Sequence, residues 1–210
     1  MGEVDLIQDR VKRSYFLIRS EVDRTKAWEE AERHKTRAFG RLKFFHRPDP
    51  DEITCTEFKM YYEPYILIRG SKEIRERSRL NSKDGPILDV SLGVDHFHEM
   101  DVVLILNKAG KEVDDPSPFN SLTGLSRTFY EEHREEFLKS DVSVRKAIET
   151  FRGLHNKGKD EASIIVNSHV HHIGIVYVPI FYAKYCWKKT GEHRIIKVDG
   201  RNCKSEVYTL

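Results

Sequence analysis

Thr54-Cys-Thr-Glu-Phe-Lys-Met-Tyr-Tyr-Glu-Pro-Tyr-Ile-Leu-Ile68, closed by Arg69-Gly70, is the stretch on which the fold is read. From Thr54 to Tyr62 β-branched and aromatic residues recur in partial alternation, the pattern of a half-buried strand. Pro64 lacks a backbone N–H, so it is expected to break that strand or hold it at an edge. Tyr65-Ile-Leu-Ile68 then reads as a second, short apolar strand. The same order returns later as Tyr177-Val-Pro-Ile-Phe-Tyr182: a Tyr, any residue, a Pro, then large apolar residues. Two copies of one helix-then-sheet unit would produce this match. So would two unrelated edge strands in which Pro discourages pairing.

Before this stretch, Ile7, Val11, Tyr15, Ile18 and Val22 recur at helical spacing, followed more loosely by Ala27, Ala31, Ala38 and Phe39. With no Pro or Gly inside it and Gly40 behind it, the segment from Asp5 to Phe39 predicts one long amphipathic helix. After it, Asp84-Gly85 signals a turn, and Ile87–Leu92 and Asp101–Leu106 read as strands. Residues 108–124 are rich in Gly, Pro, Ser and Asn, the composition of a linker. Ser126–Lys139 and a segment capped by Asp141 and running to Phe151 read as a helical pair. Ala162–Val166, Ile173–Trp187, His193–Val198 and Glu206–Leu210 read as strands, with a turn at Asp199-Gly200.

The expectation is therefore an α+β protein with a long N-terminal helix and an antiparallel sheet. Residues 1–113 and 125–210 would form two related helix-plus-sheet lobes about a linker at 114–124, or one continuous domain.

Composition bounds the function. The chain has 210 residues, 39% of them hydrophobic and 33% charged, which is enough apolar material for a core. A net charge of +2 gives no global footprint for nucleic acid, so any such footprint is local. Three scattered cysteines suit a reducing compartment, and no apolar run reaches membrane-spanning length. The expected location is cytoplasmic, without membrane contact. There is no Walker loop, dinucleotide fingerprint, H-E-x-x-H, G-x-S-x-G or C-x-x-C, which argues against the enzyme classes built on them.

Two patterns carry chemistry. The ten histidines include His96 and His98 in Asp95-His-Phe-His-Glu99, and His169 and His171 in His169-Val-His-His172. On a strand, alternate residues share a face, so each pair could place two imidazoles around a divalent transition metal, which could activate water for hydrolysis. Histidines bonded within a half-buried sheet are the plainer reading. The second pattern is basic: Arg33, Lys35, Arg37, Arg41, Lys43 and Arg47, with Phe44 and Phe45 interleaved, and later Arg75, Arg77 and Arg79. Basic groups neutralise phosphates and exposed rings stack on bases; solvated charge and core phenylalanines are the alternative. Three readings follow. The first is a non-enzymatic binding or adaptor protein contacting nucleic acid or a ribonucleoprotein through residues 33–47 and 69–83. The second is a histidine-based metal-dependent hydrolase. The third is a subunit that docks on a protein partner or self-associates through its N-terminal helix.

Overall fold

The computed structural model describes residues 13–40, 48–78, 94–154 and 163–209. Strands dominate them: β1 (Arg13–Leu17), β2 (Ile53–Ser78), β3 (Val94–Leu106), β4 (Thr123–Gly124), β5 (Ser163–Trp187), β6 (Glu192–Asp199) and β7 (Ser205–Thr209). Three α-helices accompany them: α1 (Arg24–Phe39), α2 (Arg127–Glu132) and α3 (Val144–Gly153). The strands form one seven-stranded sheet in the order β3-β2-β5-β1-β4, with β6 on β5 and β7 on β6.

Two expectations are corrected. The sheet is mixed, because β1 runs parallel to β5 while the other pairs are antiparallel. The long N-terminal helix is replaced, among the described residues, by strand β1 and the 16-residue α1. Tyr15-Phe-Leu-Ile18 is an unbroken aromatic and aliphatic run, which suits a pleated strand better than a helical stripe. Asp23 then starts the helix by accepting a hydrogen bond from the Lys26 N–H at 2.8 Å. The supposed stripe is divided accordingly. Ile18 and Val22 are buried in different clusters, and Tyr15 is exposed. Ile7 and Val11 lie outside the described residues, as do Asp84-Gly85 and Ile87–Leu92.

Pro64 does not break its strand: β2 is continuous over 26 residues and β5 over 25. The register explains how. Tyr62 lies opposite Pro179 and Pro64 opposite Tyr177, so the two Tyr-x-Pro triplets cross each other about Glu63 and Val178. The carbonyls of Tyr62, Tyr177 and Pro179 accept bonds from outside the β2–β5 ladder, from the N–H groups of Leu138 (3.0 Å), Ile18 (3.0 Å) and Gly200 (2.9 Å). These residues therefore turn their backbone groups away from the central ladder, where a missing N–H removes no bond. Both prolines also sit where outer partners change. β3 pairs with β2 only from Ile66 onward, and β6 takes over β5 at Ile180, past the end of β1.

Alternation gives this sheet two different faces. On one, α1 buries Ala27, Ala31, Ala38 and Phe39 against Phe181, Ala183, Tyr185, Ile196 and Val198. Its alanines let the helix backbone come close. Farther along the same face, α3 buries Ala147, Ile148 and Phe151 against Ile66, Ile68, Leu104 and Ile173. Ser143, rather than Asp141, caps α3. Each fully buried aliphatic or Phe side chain stabilises by about 1.5–3 kcal/mol. Nearby, the Lys72 ammonium is held by the Leu154 carbonyl and lies 5.4 Å from the Phe151 ring centre; burial alone lowers its pKa.

The opposite face is covered at its middle by residues 107–122, which take in most of the 108–124 stretch read as a linker. Phe119 from this segment is 2% exposed and packs with Leu67, Ile105, Val176, Val178 and Ile180. β4 then pairs with β1. Residues 1–113 and 125–210 thus contribute β2 and β5, which pair with each other in one sheet. No helix among the described residues is long and apolar enough to cross a membrane.

Candidate functional site

Beside the Phe119 segment, the covered face opens into a hollow of about 430 Å³. Its floor comes from four strands: Glu63 and Tyr65 on β2, Ile180 on β5, Lys197 and Asp199 on β6, and Glu206 and Tyr208 on β7. The register sets these side chains side by side, since Ile180 faces Asp199 and Lys197 faces Glu206 across their ladders. Its walls are the turn at 107–109, Asp115, Asp141 and the loop that carries Arg201, Asn202 and Lys204. Asn107 shapes the turn by accepting N–H bonds from Ala109 and Lys111, both at 3.0 Å.

Glu63 is the centre of the floor and only 6% exposed. A carboxylate there must be compensated. The Lys197 ammonium binds it at 2.5 Å and the Tyr182 hydroxyl donates to the same oxygen. Lys197 Nζ also lies 4.9 Å from the Tyr182 ring centre and 4.4 Å from that of Tyr208. Burial pushes the Tyr182 hydroxyl far above its ordinary value, and its bond to Glu63 adds to this. Burial, then the Glu63 charge, pushes Tyr65 up to about 12. Both remain protonated donors across the physiological range. Tyr208 is raised as well, by burial and by donating to Glu206 at 2.5 Å.

Arg201 closes one end. Its guanidinium grips Asp199 through Nε and Nη2, the latter at 2.6 Å. Burial disfavours its charge, but the bonds to Asp199 outweigh this and raise its pKa. Nη1 is buried without a hydrogen-bond partner; the guanidinium carbon lies 5.4 Å from the Phe119 ring centre and 6.0 Å from that of Tyr65, so the rings take up part of its charge. A cavity with tied charges, protonated tyrosines and an open mouth suits recognition of a polar small molecule.

The histidines are placed elsewhere. His98 and His169 line a shallow depression of about 210 Å³ with Glu73, Phe97 and Glu99, at the far end of β2. His98 is opposite Ile74 and His169 opposite Ser71, positions of opposite parity on β2 and hence on different faces. His171 does not share a simple alternation with His169. The register slips there, Arg69 facing His172 and Gly70 facing Val170, so His171 is the extra residue of a bulge. Its Nε2 lies 2.9 Å from Ser71 Oγ. Among the described residues no three His, Cys, Asp or Glu side chains are grouped to hold a metal. His96 belongs to β3, but its side chain lies outside the described ones.

The basic residues divide similarly. Arg33 is paired with Glu30 at 2.7 Å and Lys35 with Glu32 at 2.9 Å along α1, and Arg37 is in its last turn. Arg75 stands near the opposite end of β2, 6.0 Å over the ring of Phe97. The described parts of the two segments are therefore not one patch. Arg41, Lys43, Phe44, Phe45, Arg47 and Arg79 lie outside the described residues, as does the Arg77 side chain.

Sequence reading passed over Glu63, Tyr65, Lys197 and Arg201. One signal was present: Glu63 and Lys197 are single charges inside otherwise aromatic or aliphatic strand segments, Tyr-Glu-Pro and Ile-Lys-Val. No family description, curated protein or solved structure matches this chain.

Proposed function

We propose that the protein is a binding protein whose ligand is a small polar molecule seated in the Glu63 hollow. The observation that carries this is the buried Glu63 carboxylate, bound by half-buried Lys197 and Tyr182, at the floor of an open cavity. A buried ion pair is weak evidence of stabilisation, because desolvation offsets most of the attraction. Its place under a mouth rimmed by further polar side chains gives it a use in recognition. Amide chemical-shift mapping against a panel of sugars, amino acids, carboxylic acids and nucleotides tests the reading. Shifts concentrated at residues 63–65, 107–115 and 197–208 are expected. Saturable shifts confined to another surface would move the site there.

Nucleic-acid contact is a second reading, favoured by the Arg75 guanidinium lying over the exposed ring of Phe97. Such a pair offers a base a stacking surface and a phosphate a cation. Single-stranded RNA and DNA should then bind with an affinity whose logarithm falls by about 0.7 per phosphate contact with the logarithm of salt. Binding unaffected by Phe97→Ala combined with Arg75→Glu would remove this surface from consideration.

A further inference from the structure

The charges of the hollow balance internally to within one, and this narrows the class of ligand. Glu63 is bound by Lys197 at 2.5 Å and Asp199 by Arg201 at 2.6 Å. Of the remaining lining groups, the carboxylates of Asp115, Asp141 and Glu206 stand against the ammonium groups of Lys108 and Lys204. One negative charge is left in excess over the whole wall. A strongly anionic ligand would meet those carboxylates. A polycation would meet the lysines. A purely apolar ligand would strip water from charged side chains without replacing its hydrogen bonds.

The unused hydrogen-bonding capacity is mixed in kind. The Tyr65 hydroxyl has no hydrogen-bond partner among the described residues and stays protonated. The side-chain oxygens of Asn107 and Asn202 are occupied by backbone N–H groups, which leaves their amide nitrogens as donors. Asp141 and the second oxygen of Glu206 remain as acceptors. At the rim, Tyr208 is 40% exposed, and its ring, with Lys197 Nζ 4.4 Å from its centre, is the flat surface beside the hollow. Donors and acceptors interspersed around one aromatic face suit a molecule whose every polar group both donates and accepts, which is the property of the hydroxyl. The cavity, about 430 Å³, is within the range of small-molecule sites.

We infer that the Glu63 hollow binds a neutral polyhydroxylated molecule, a mono- or disaccharide or a cyclic polyol, with its C–H face on Tyr208 and a hydroxyl on Tyr65. This rests on the hollow being the ligand site proposed above. The test uses the full chain, with glucose, trehalose and inositol as neutral probes and inorganic phosphate, glutamate and spermidine as charged ones. Saturation-transfer NMR and calorimetry read binding, and thermal melting checks that each variant is folded. At least one neutral probe should bind, with transfer strongest at its ring C–H protons. Tyr65→Phe keeps the ring beside Phe119 and removes only the hydroxyl, so it should weaken that probe about 3–10-fold, the worth of one neutral hydrogen bond. Tyr208→Ala should abolish the C–H transfer. If only a charged probe binds, and Tyr65→Phe weakens it, the ligand class is overturned while the hollow stands as the site. If no probe binds, or binding ignores both variants, the inference and the site fall together.

Discussion

The Glu63 hollow and the His98 depression are built on the same strand, β2, and on the same neighbour, β5, and they treat their polar groups in opposite ways. In the first, residues 107–118 and the Arg201 loop wall off the face, so the Glu63 carboxylate is desolvated and must be matched by donors. In the second, Phe97, His98, Glu99 and His169 are all exposed. Water there can satisfy groups that the neighbours do not. The histidines are the more conspicuous feature in the sequence, yet the consequence of a polar residue depends on what covers it.

The sharpest way to break this contrast is to delete one carboxylate at each site. Glu63→Ala leaves a half-buried ammonium and a half-buried phenol without their acceptor and should destabilise the fold by about 3–4 kcal/mol in urea denaturation. Glu73→Ala or Glu99→Ala should stay within about 0.5 kcal/mol. Equal losses would erase the distinction.

The next effect tests whether the histidine end is tightly built beneath its exposed surface. A Cβ at Gly70 would lie 2.2 Å from the His169 carbonyl oxygen and 2.7 Å from Phe151 Cζ. Gly70→Ala should therefore cost about 3 kcal/mol through overpacking, whereas Gly124→Ala, with nothing within 4 Å, should melt like the parent. A harmless Gly70→Ala would mean that α3 stands farther from the bulge than described.

A smaller, pH-dependent effect comes from His172. Burial, then the charge of Arg69, lowers its pKa below the usual 6.5. As the pH falls through 6.5 the unfolded chain takes up this proton first, so stability declines until the folded-state value is passed and then levels off. His172→Gln should flatten the decline of melting temperature over this window. An unchanged profile would assign the decline to another group.

Smallest of all should be the response to zinc or nickel. Among the described residues His98 and His169 belong to no group of three His, Cys, Asp or Glu side chains that could hold an ion, so neither metal should raise the melting temperature measurably. A rise that disappears in the double variant His98→Ala, His169→Ala would show that a further ligand completes a site, and would reverse the ranking of the two places.

How far the sequence could be read depends on how local each feature is. The strand at 193–198 and the stripe of Val144, Ile148 and Phe151 are local patterns, and β6 and α3 follow them to within a residue or two. The N-terminal helix failed because residues with helical spacing belong to a strand, a turn and a helix start in succession, and spacing alone does not show the cap at Asp23. The H-x-H pattern was visible, but the bulge that displaces His171 arises from pairing with a strand about a hundred residues earlier in the chain. The hollow is the extreme case. Glu63 and Lys197 are 134 positions apart and meet only because β2, β5 and β6 align. No window along the chain contains both.

The paired prolines bear on where a strand of another chain could add to this sheet. β2 and β5 are several times the usual strand length of about 5–6 residues. A ribbon of that size, with an uninterrupted row of donors along its outer margins, would be a template onto which a foreign strand could add end to end. Pro64 and Pro179 each delete one outward donor near the midpoint, and Leu138, Ile18 and Gly200 occupy the neighbouring carbonyls. Gly200 can come this close because it lacks a side chain; a Cβ there would meet the Pro179 oxygen at 2.8 Å. An intruding strand could start at either end of the ribbon but would find no continuous track through its waist.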